Sequence, residues 1–137
     1  MAIKHNELRI GNFVQDEHGI VQYVYRLWQG GAELAEDENG GEDLDHTNEE
    51  MFGVPITDDW LENLGFKFNN EADGWFTSED SEFFIEPWDN NFAIRWDGSI
   101  VGQYISSVHQ LQNIYFALTG LELELKSALA KKEKKKR

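Results

Sequence analysis

Asp97-Gly98 separates two β-prone runs, residues 92–96 (FAIRW) and residues 99–101 (SIV). An Asp-Gly pair in that setting signals a type I′ hairpin, since both central residues of the turn need positive φ and the turn's twist matches the strands it joins. The pair constrains its surroundings. From Gly74 the period-two pattern predicts strands at 74–77, 82–88, 92–96 and 99–105, which is a β-meander and not a helical bundle. Phe84, Phe92, Ile94 and Trp96 are expected on the face that a helix covers.

That helix is predicted over residues 107–119 (SVHQLQNIYFALT). Ser107 and Gln110 have capping-box spacing, Gly120 can take the left-handed position after the last turn, and Val108, Leu111, Tyr115 and Leu118 form an apolar stripe widened by Ile114. Residues 121–125 (LELEL) alternate and can add a last edge strand. A shorter helix is expected from Thr57, its N-cap, with Asp58 and Asp59 in the first turn, Ile56 and Leu61 as a hydrophobic staple, and Gly65 as terminator. Its face of Trp60, Leu61 and Leu64 must dock on a sheet, because so short a helix is unstable alone.

Before it, residues 8–14 (LRIGNFV) read as a strand, 16–19 (DEHG) as a turn, and 20–28 (IVQYVYRLW) as a longer strand with Val21, Tyr23, Tyr25 and Leu27 on one face and Val24 and Trp28 on the other. A weak strand at 32–34 follows. The segment from Leu8 to about Leu34 is similar to the opening strands of a small SH3-like barrel. The acidic stretch 36–50 is expected to be loop. The fold class is therefore α+β: small antiparallel N-terminal strands, a short helix, then a β-meander packed by a C-terminal helix. The organisation expected is 1–52 as a small β module with the acidic loop, 53–125 as helix, meander and C-terminal helix, and 126–137 as a flexible basic tail.

Charge narrows the function classes. The chain of 137 residues carries a formal charge of -14, and residues 131–137 (KKEKKKR) alone carry +5, so residues 1–130 carry -19. Nonspecific binding to nucleic acid or to an anionic membrane is disfavoured by that field, and the tail has no aromatic residue on which a base could stack. There is no cysteine, which removes disulfides, thiolate nucleophiles and cysteine-ligated metals. The N-terminus lacks a signal-peptide pattern and no run approaches membrane-spanning length, so a cytoplasmic or virion-associated location is expected.

GVPITDDWLENLGF (residues 53–66), SVHQLQNIYFALTGLELEL (residues 107–125) and LRIGNFV near the start together resemble, along nearly the full length, a family of small uncharacterised proteins of Bacteroidetes genomes and of their prophages and phages. The match is closest at 108–113 (VHQLQN) and 115–120 (YFALTG). The resemblance implies a common fold and a mobile-element setting. It brings no activity that transfers residue by residue.

Among single residues, His109, Gln112 and Asn113 share a helix face and can present hydrogen-bonding groups to a partner, or a buried histidine can be satisfied within the fold. Ser106 or Ser107 with His109 gives no oriented base and no oxyanion hole. The acidic loop, with Glu42, Asp43, Asp45, His46, Glu49 and Glu50, lacks EF-hand spacing, and histidines at 5, 18, 46 and 109 form no zinc pattern. No metal or cofactor is therefore expected. Glu82 and Glu86 stand about 13 Å apart along one strand, too far for a glycosidase pair. Five tryptophans exceed what so small a core needs, and Trp75 and Trp88, each near a turn, are the candidates for exposure. The leading expectation is a noncatalytic protein that binds a protein partner through acidic side chains, Glu42, Asp43 and Asp45 among them, and exposed aromatics, without contacting nucleic acid directly. Three alternatives are a DNA mimic that blocks a defence protein, a virion or assembly component, and a small hydrolase or nucleotide-binding protein. The two-sided aromatic strands permit a dimer.

Overall fold

The computed structural model describes residues 7–35, 44–47, 50–77, 82–123 and 125. Their elements in order are Phe13–Gln15 (β1), Val21–Trp28 (β2), Gly31–Ala35 (β3), Leu44–Thr47 (β4), Phe52–Gly53 (β5), Asp58–Asn63 (α1), Phe66–Asn69 (β6), Gly74–Thr77 (β7), Phe83–Trp88 (β8), Asn91–Trp96 (β9), Ser99–Ile105 (β10) and Val108–Thr119 (α2). The chain is α+β, with N-terminal antiparallel strands, a short helix, a meander and a C-terminal helix. It divides into two compact units, Met1–Pro55 with Ser107–Asn113, and Ile56–Ser106 with Ile114–Arg137. Most of the acidic stretch, at 36–43 and 48–49, and the basic segment 126–137 lie outside the described residues.

In the first unit five antiparallel strands run in the order β4-β3-β2-β1-β5. Asp16 closes the turn between β1 and β2: its Oδ1 accepts the N–H groups of His18 at 2.8 Å and Ile20 at 3.0 Å. The core is Leu8, Val14, Val24, Ala32, Leu34 and Met51, with Leu27 packed against it. Three expectations are corrected. The strand read at 8–14 begins only at Phe13, because Arg9 and Asn12 form a turn in which the Arg9 N–H donates to Asn12 Oδ1 at 2.7 Å and the Asn12 N–H to the Arg9 carbonyl at 3.1 Å. In β2 the register shifts between Val24 and Arg26, so Val24 opposes Leu34 and Leu27 opposes Ala32. A bulge of this kind breaks the period of two and brings Val24 and Leu27 to the same core. Finally, residues 44–47, read as loop, form β4 on β3.

In the second unit the order is β10-β9-β8-β7-β6, each strand antiparallel to the next. Asp97 and Gly98 have φ of 51° and 83°, and Ser99 pairs with Trp96, as the expected turn requires. Helix α1 starts as predicted, with the Trp60 N–H donating to Thr57 Oγ1 at 3.2 Å. One arm of the box at α2 is formed, the Ser107 N–H donating to Gln110 Oε1 at 3.1 Å. Tyr115 of α2 meets Phe83 edge-on at 4.9 Å and Phe66 at 6.3 Å, and Phe83 also meets Trp96 at 6.4 Å. Strand β6, which supplies Phe66, is absent from the sequence-based outline. Leu121 to Leu123 and Leu125 form no strand, despite the alternation.

The faces of this sheet follow from its register, since directly opposed residues point the same way. Phe83 opposes Trp96 and Ile85 opposes Ile94 on the side where Tyr115 packs. Phe84 opposes both Phe76 and Arg95, so it lies on the other side, contrary to its expected place under the helix.

Candidate functional site

The side of the second sheet that bears Phe84, its open side, displays Trp88 and Tyr104, the two aromatic side chains with the highest fractional exposure among the described residues of its unit. Arg95 opposes Ile100, which is exposed, and the period of two along β8 adds Glu86 and Trp88 to the side that bears Phe84. Trp88 is 54% exposed and Tyr104 49%, and their rings lie nearly parallel, 22° apart with centroids 6.3 Å apart. Phe76 and Phe84 form a second stack at 4.6 Å. Between them Arg95 Nε donates to Glu86 Oε2 at 2.7 Å and its Nη1 to the Gly98 carbonyl at 3.3 Å. Gly74 makes the Phe stack feasible, because a Cβ there would run into the Phe84 ring. Phe76, Phe84, Glu82, Arg95, Asp97 and Gly98 line a shallow pocket of about 290 Å³.

The sequence candidates distribute differently. Trp88 is exposed as expected, whereas Trp75 is only 5% exposed, beside Phe68 on the opposite side of the sheet from Phe84. Glu42 and Asp43 lie outside the described residues, and Asp45 stands in β4 opposite Glu33. Sequence reasoning did not single out Tyr104, Phe76 or Arg95. For the first, the signal is hidden by a register shift between Val101 and Ile105.

His109, Gln112 and Asn113 do come together, in the first unit, on the chain's own N-terminal segment. Gln112 Oε1 accepts the Phe13 N–H at 2.8 Å and its Nε2 donates to the Gly11 carbonyl at 2.9 Å. Asn113 Oδ1 accepts from Asn12 Nδ2 at 2.8 Å and Arg9 Nε at 3.1 Å, while its Nδ2 donates to the Glu7 carbonyl at 2.7 Å. LRIGN and VHQLQN are thus two halves of one clamp.

His109 is 2% exposed, with Nε2 3.3 Å from Glu7 Oε2 and no hydrogen-bond partner for Nδ1. The carboxylate selects the tautomer with the proton on Nε2, leaving Nδ1 as a bare lone pair. Burial pushes the pKa of His109 below its ordinary value, against the opposing pull of Glu7. The folded chain therefore keeps His109 neutral at pH values where the unfolded chain protonates it. Stability is expected to fall as pH drops below about 6.5, the unfolded value, and on toward the folded one. Urea titrations of wild type and His109→Gln at pH values above and below that unfolded value check this: the fall should be shallower in the variant. Asp16 contributes a separate, more acidic loss. Its burial opposes ionisation, but the Ile20 and His18 N–H groups and the Gln22 amide outweigh it and lower its pKa.

Among the described residues no group of three or more His, Asp or Glu is placed to hold a metal ion, and no described helix is long and apolar enough to cross a membrane. Comparison with protein-family models, with curated proteins and with solved structures returned no match. The site therefore rests on its own geometry: one exposed aromatic pair, a half-buried pair beside it and interspersed charge, consistent with a surface that binds protein.

Proposed function

We propose that this chain is a noncatalytic interaction protein of a phage or prophage-like element, which holds a protein partner against an acidic surface bearing exposed aromatics. The observation that carries the reading is the Trp88–Tyr104 pair, two amphipathic rings already ordered against each other and about half exposed. Tryptophan and tyrosine dominate binding hot spots because they bury much area while losing little rotamer entropy. The mobile-element setting rests on the LRIGN and VHQLQN resemblance.

Immobilised full-length chain and its Trp88→Ala variant, exposed to the same Bacteroidetes lysate, test the reading. A retained protein should be lost on the variant by a factor of about 30, the equivalent of about 2 kcal/mol at a hot spot. Thermal stability should change little, since an exposed side chain costs within about 0.5 kcal/mol on truncation. Equal retention by both chains, or none by either, overturns the reading. Displacement of the retained protein by duplex DNA would replace it with that of a phosphate mimic.

A further inference from the structure

The segment that meets His109 belongs to no strand. Glu7 touches α2 twice, with its carboxylate at His109 and with its carbonyl, which accepts from Asn113 Nδ2 at 2.7 Å one helical turn further on. Arg9 extends the contact, donating from Nε to Asn113 Oδ1 at 3.1 Å and from Nη2 to the Gln112 carbonyl at 3.3 Å. Leu8, between them in sequence, is buried in the core with Val14 and Val24. Among the described residues, main-chain bonding of this segment to the sheet begins at Gly11, whose N–H donates to the Val24 carbonyl at 2.9 Å, while the Val24 N–H donates to the Asn12 carbonyl at 2.9 Å. We infer that residues 7–10 are a latch on α2, which acid releases at this boundary while the sheet of the first unit stays paired.

The closed latch suits a neutral imidazole. With Nε2 directed at Glu7, a second proton must go to Nδ1, which is buried and has no acceptor, and a buried charged donor without a partner costs more than a neutral one. The surroundings offset little of that. Glu7 is the charged group that faces the ring, and it is itself partly exposed, so water weakens its pull. Gly53 of β5 and Ser107 lie close together beside the ring, a Cβ at Gly53 falling 3.4 Å from His109 Cε1, and neither titrates; the first turn of α2 holds no acid. Water reaches the ring more easily by lifting residues 7–10 than by lifting β5. Strand β5 is tied by its pairing with β1, and Val54 after it by the Val108 N–H at 2.8 Å, whereas the latch is held by side-chain contacts and one buried leucine, and its release returns backbone freedom to four residues. An exposed histidine takes its proton near pH 6.5. Release therefore becomes more favourable below that value, by up to about tenfold for each pH unit until the closed form is itself protonated. The loss of stability on acidification falls first on the latch.

The chain has no cysteine, so one introduced thiol reports opening without interference. Full-length Leu8→Cys and, as a control within the sheet, Val24→Cys are labelled under native conditions with a pyridyl disulfide, which still reacts in mild acid. Each rate is divided by that of the same thiol in urea-unfolded chain at the same pH. The thiol at position 8 should be labelled ahead of that at position 24, and its opening should grow below about pH 6.5, by up to about tenfold per unit. Adding His109→Gln should abolish the growth. Adding Glu7→Gln should keep it, since the amide oxygen still accepts from Nε2 and the histidine remains the sensor. Amide exchange of the wild type makes the same comparison without a substitution: the Asn12 N–H, bonded to the Arg9 carbonyl, should exchange ahead of the Val24 N–H, with the same rise in acid. Equal opening at the two positions, which would make it global, overturns the inference. So does opening at position 8 that ignores pH, a slope that survives His109→Gln, or one that vanishes with Glu7→Gln. None of these outcomes bears on the partner surface of the second unit.

Discussion

Replacing Gln112 by alanine is expected to lower the unfolding free energy by about 2–6 kcal/mol, although the residue carries no charge. Its amide satisfies two main-chain groups, the Phe13 N–H and the Gly11 carbonyl, and the side chain is only 1% exposed. Removing it strands both groups away from water, at about 1–3 kcal/mol each. Gln112→Met keeps most of the volume and none of the hydrogen bonding. Urea midpoints should therefore fall almost as far for methionine as for alanine. A methionine variant near wild type would show that packing, not hydrogen bonding, holds Gly11 and Phe13 to the helix.

Phe83→Ala should cost about 3–5 kcal/mol, the range for deleting a buried aromatic side chain. Phe83 is fully buried where three rings converge, those of Phe66, Trp96 and Tyr115. The cavity would sit between sheet and helix within one unit, where neither partner collapses easily. Equilibrium unfolding in urea measures the loss, and near-ultraviolet circular dichroism should weaken as Trp96 and Tyr115 lose their fixed surroundings. A cost below about 1 kcal/mol, the scale of an ordinary substitution, would mean that this ring cluster does not hold α2 to the meander.

The meander was legible because its signals are local. Asp97-Gly98 fixes a turn, a turn fixes a register, and the alternation on each side fixes which side chains share a face. Where one step failed, all later faces failed with it. Alternation along β2 groups Leu27 with Tyr23 and Tyr25, but the bulge after Val24 carries Leu27 across to the core. The register also moved Phe84 to the open side, a consequence of pairing with Phe76 and Arg95 that no single strand displays. Residues 121–125 show the converse error, a strand pattern without a strand in Leu121 to Leu123 or Leu125, because alternation supplies a face and not a neighbour to pair with.

The candidate site was legible in kind more than in place. Helical spacing correctly put His109, Gln112 and Asn113 side by side, yet their hydrogen-bond partners lie about a hundred positions away in sequence, at Glu7, Arg9, Gly11, Asn12 and Phe13. Spacing on one element cannot reveal what a distant segment brings to it. A tryptophan surplus likewise predicted exposure without choosing the residue. Trp88 lies beside the Asp89-Asn90 turn and is exposed, whereas Trp75 lies just as near the turn before β7 and is buried by the direction its strand presents it.

Strand β10 is an outer strand of its sheet, and from Ser99 to Ile105 it carries no charged side chain. An uncharged outer strand is a template on which another chain can grow, and proteins usually protect such strands with lysine, proline or an irregularity. Here the irregularity does so: the ladder with β9 is regular only from Ser99 to Val101 and resumes at Ile105. A second chain would find three regular positions to copy, too short a run to seed a fibre. The same break lets the strand display Tyr104 beside Trp88, so the chain exposes aromatic surface for recognition without offering a straight edge for aggregation.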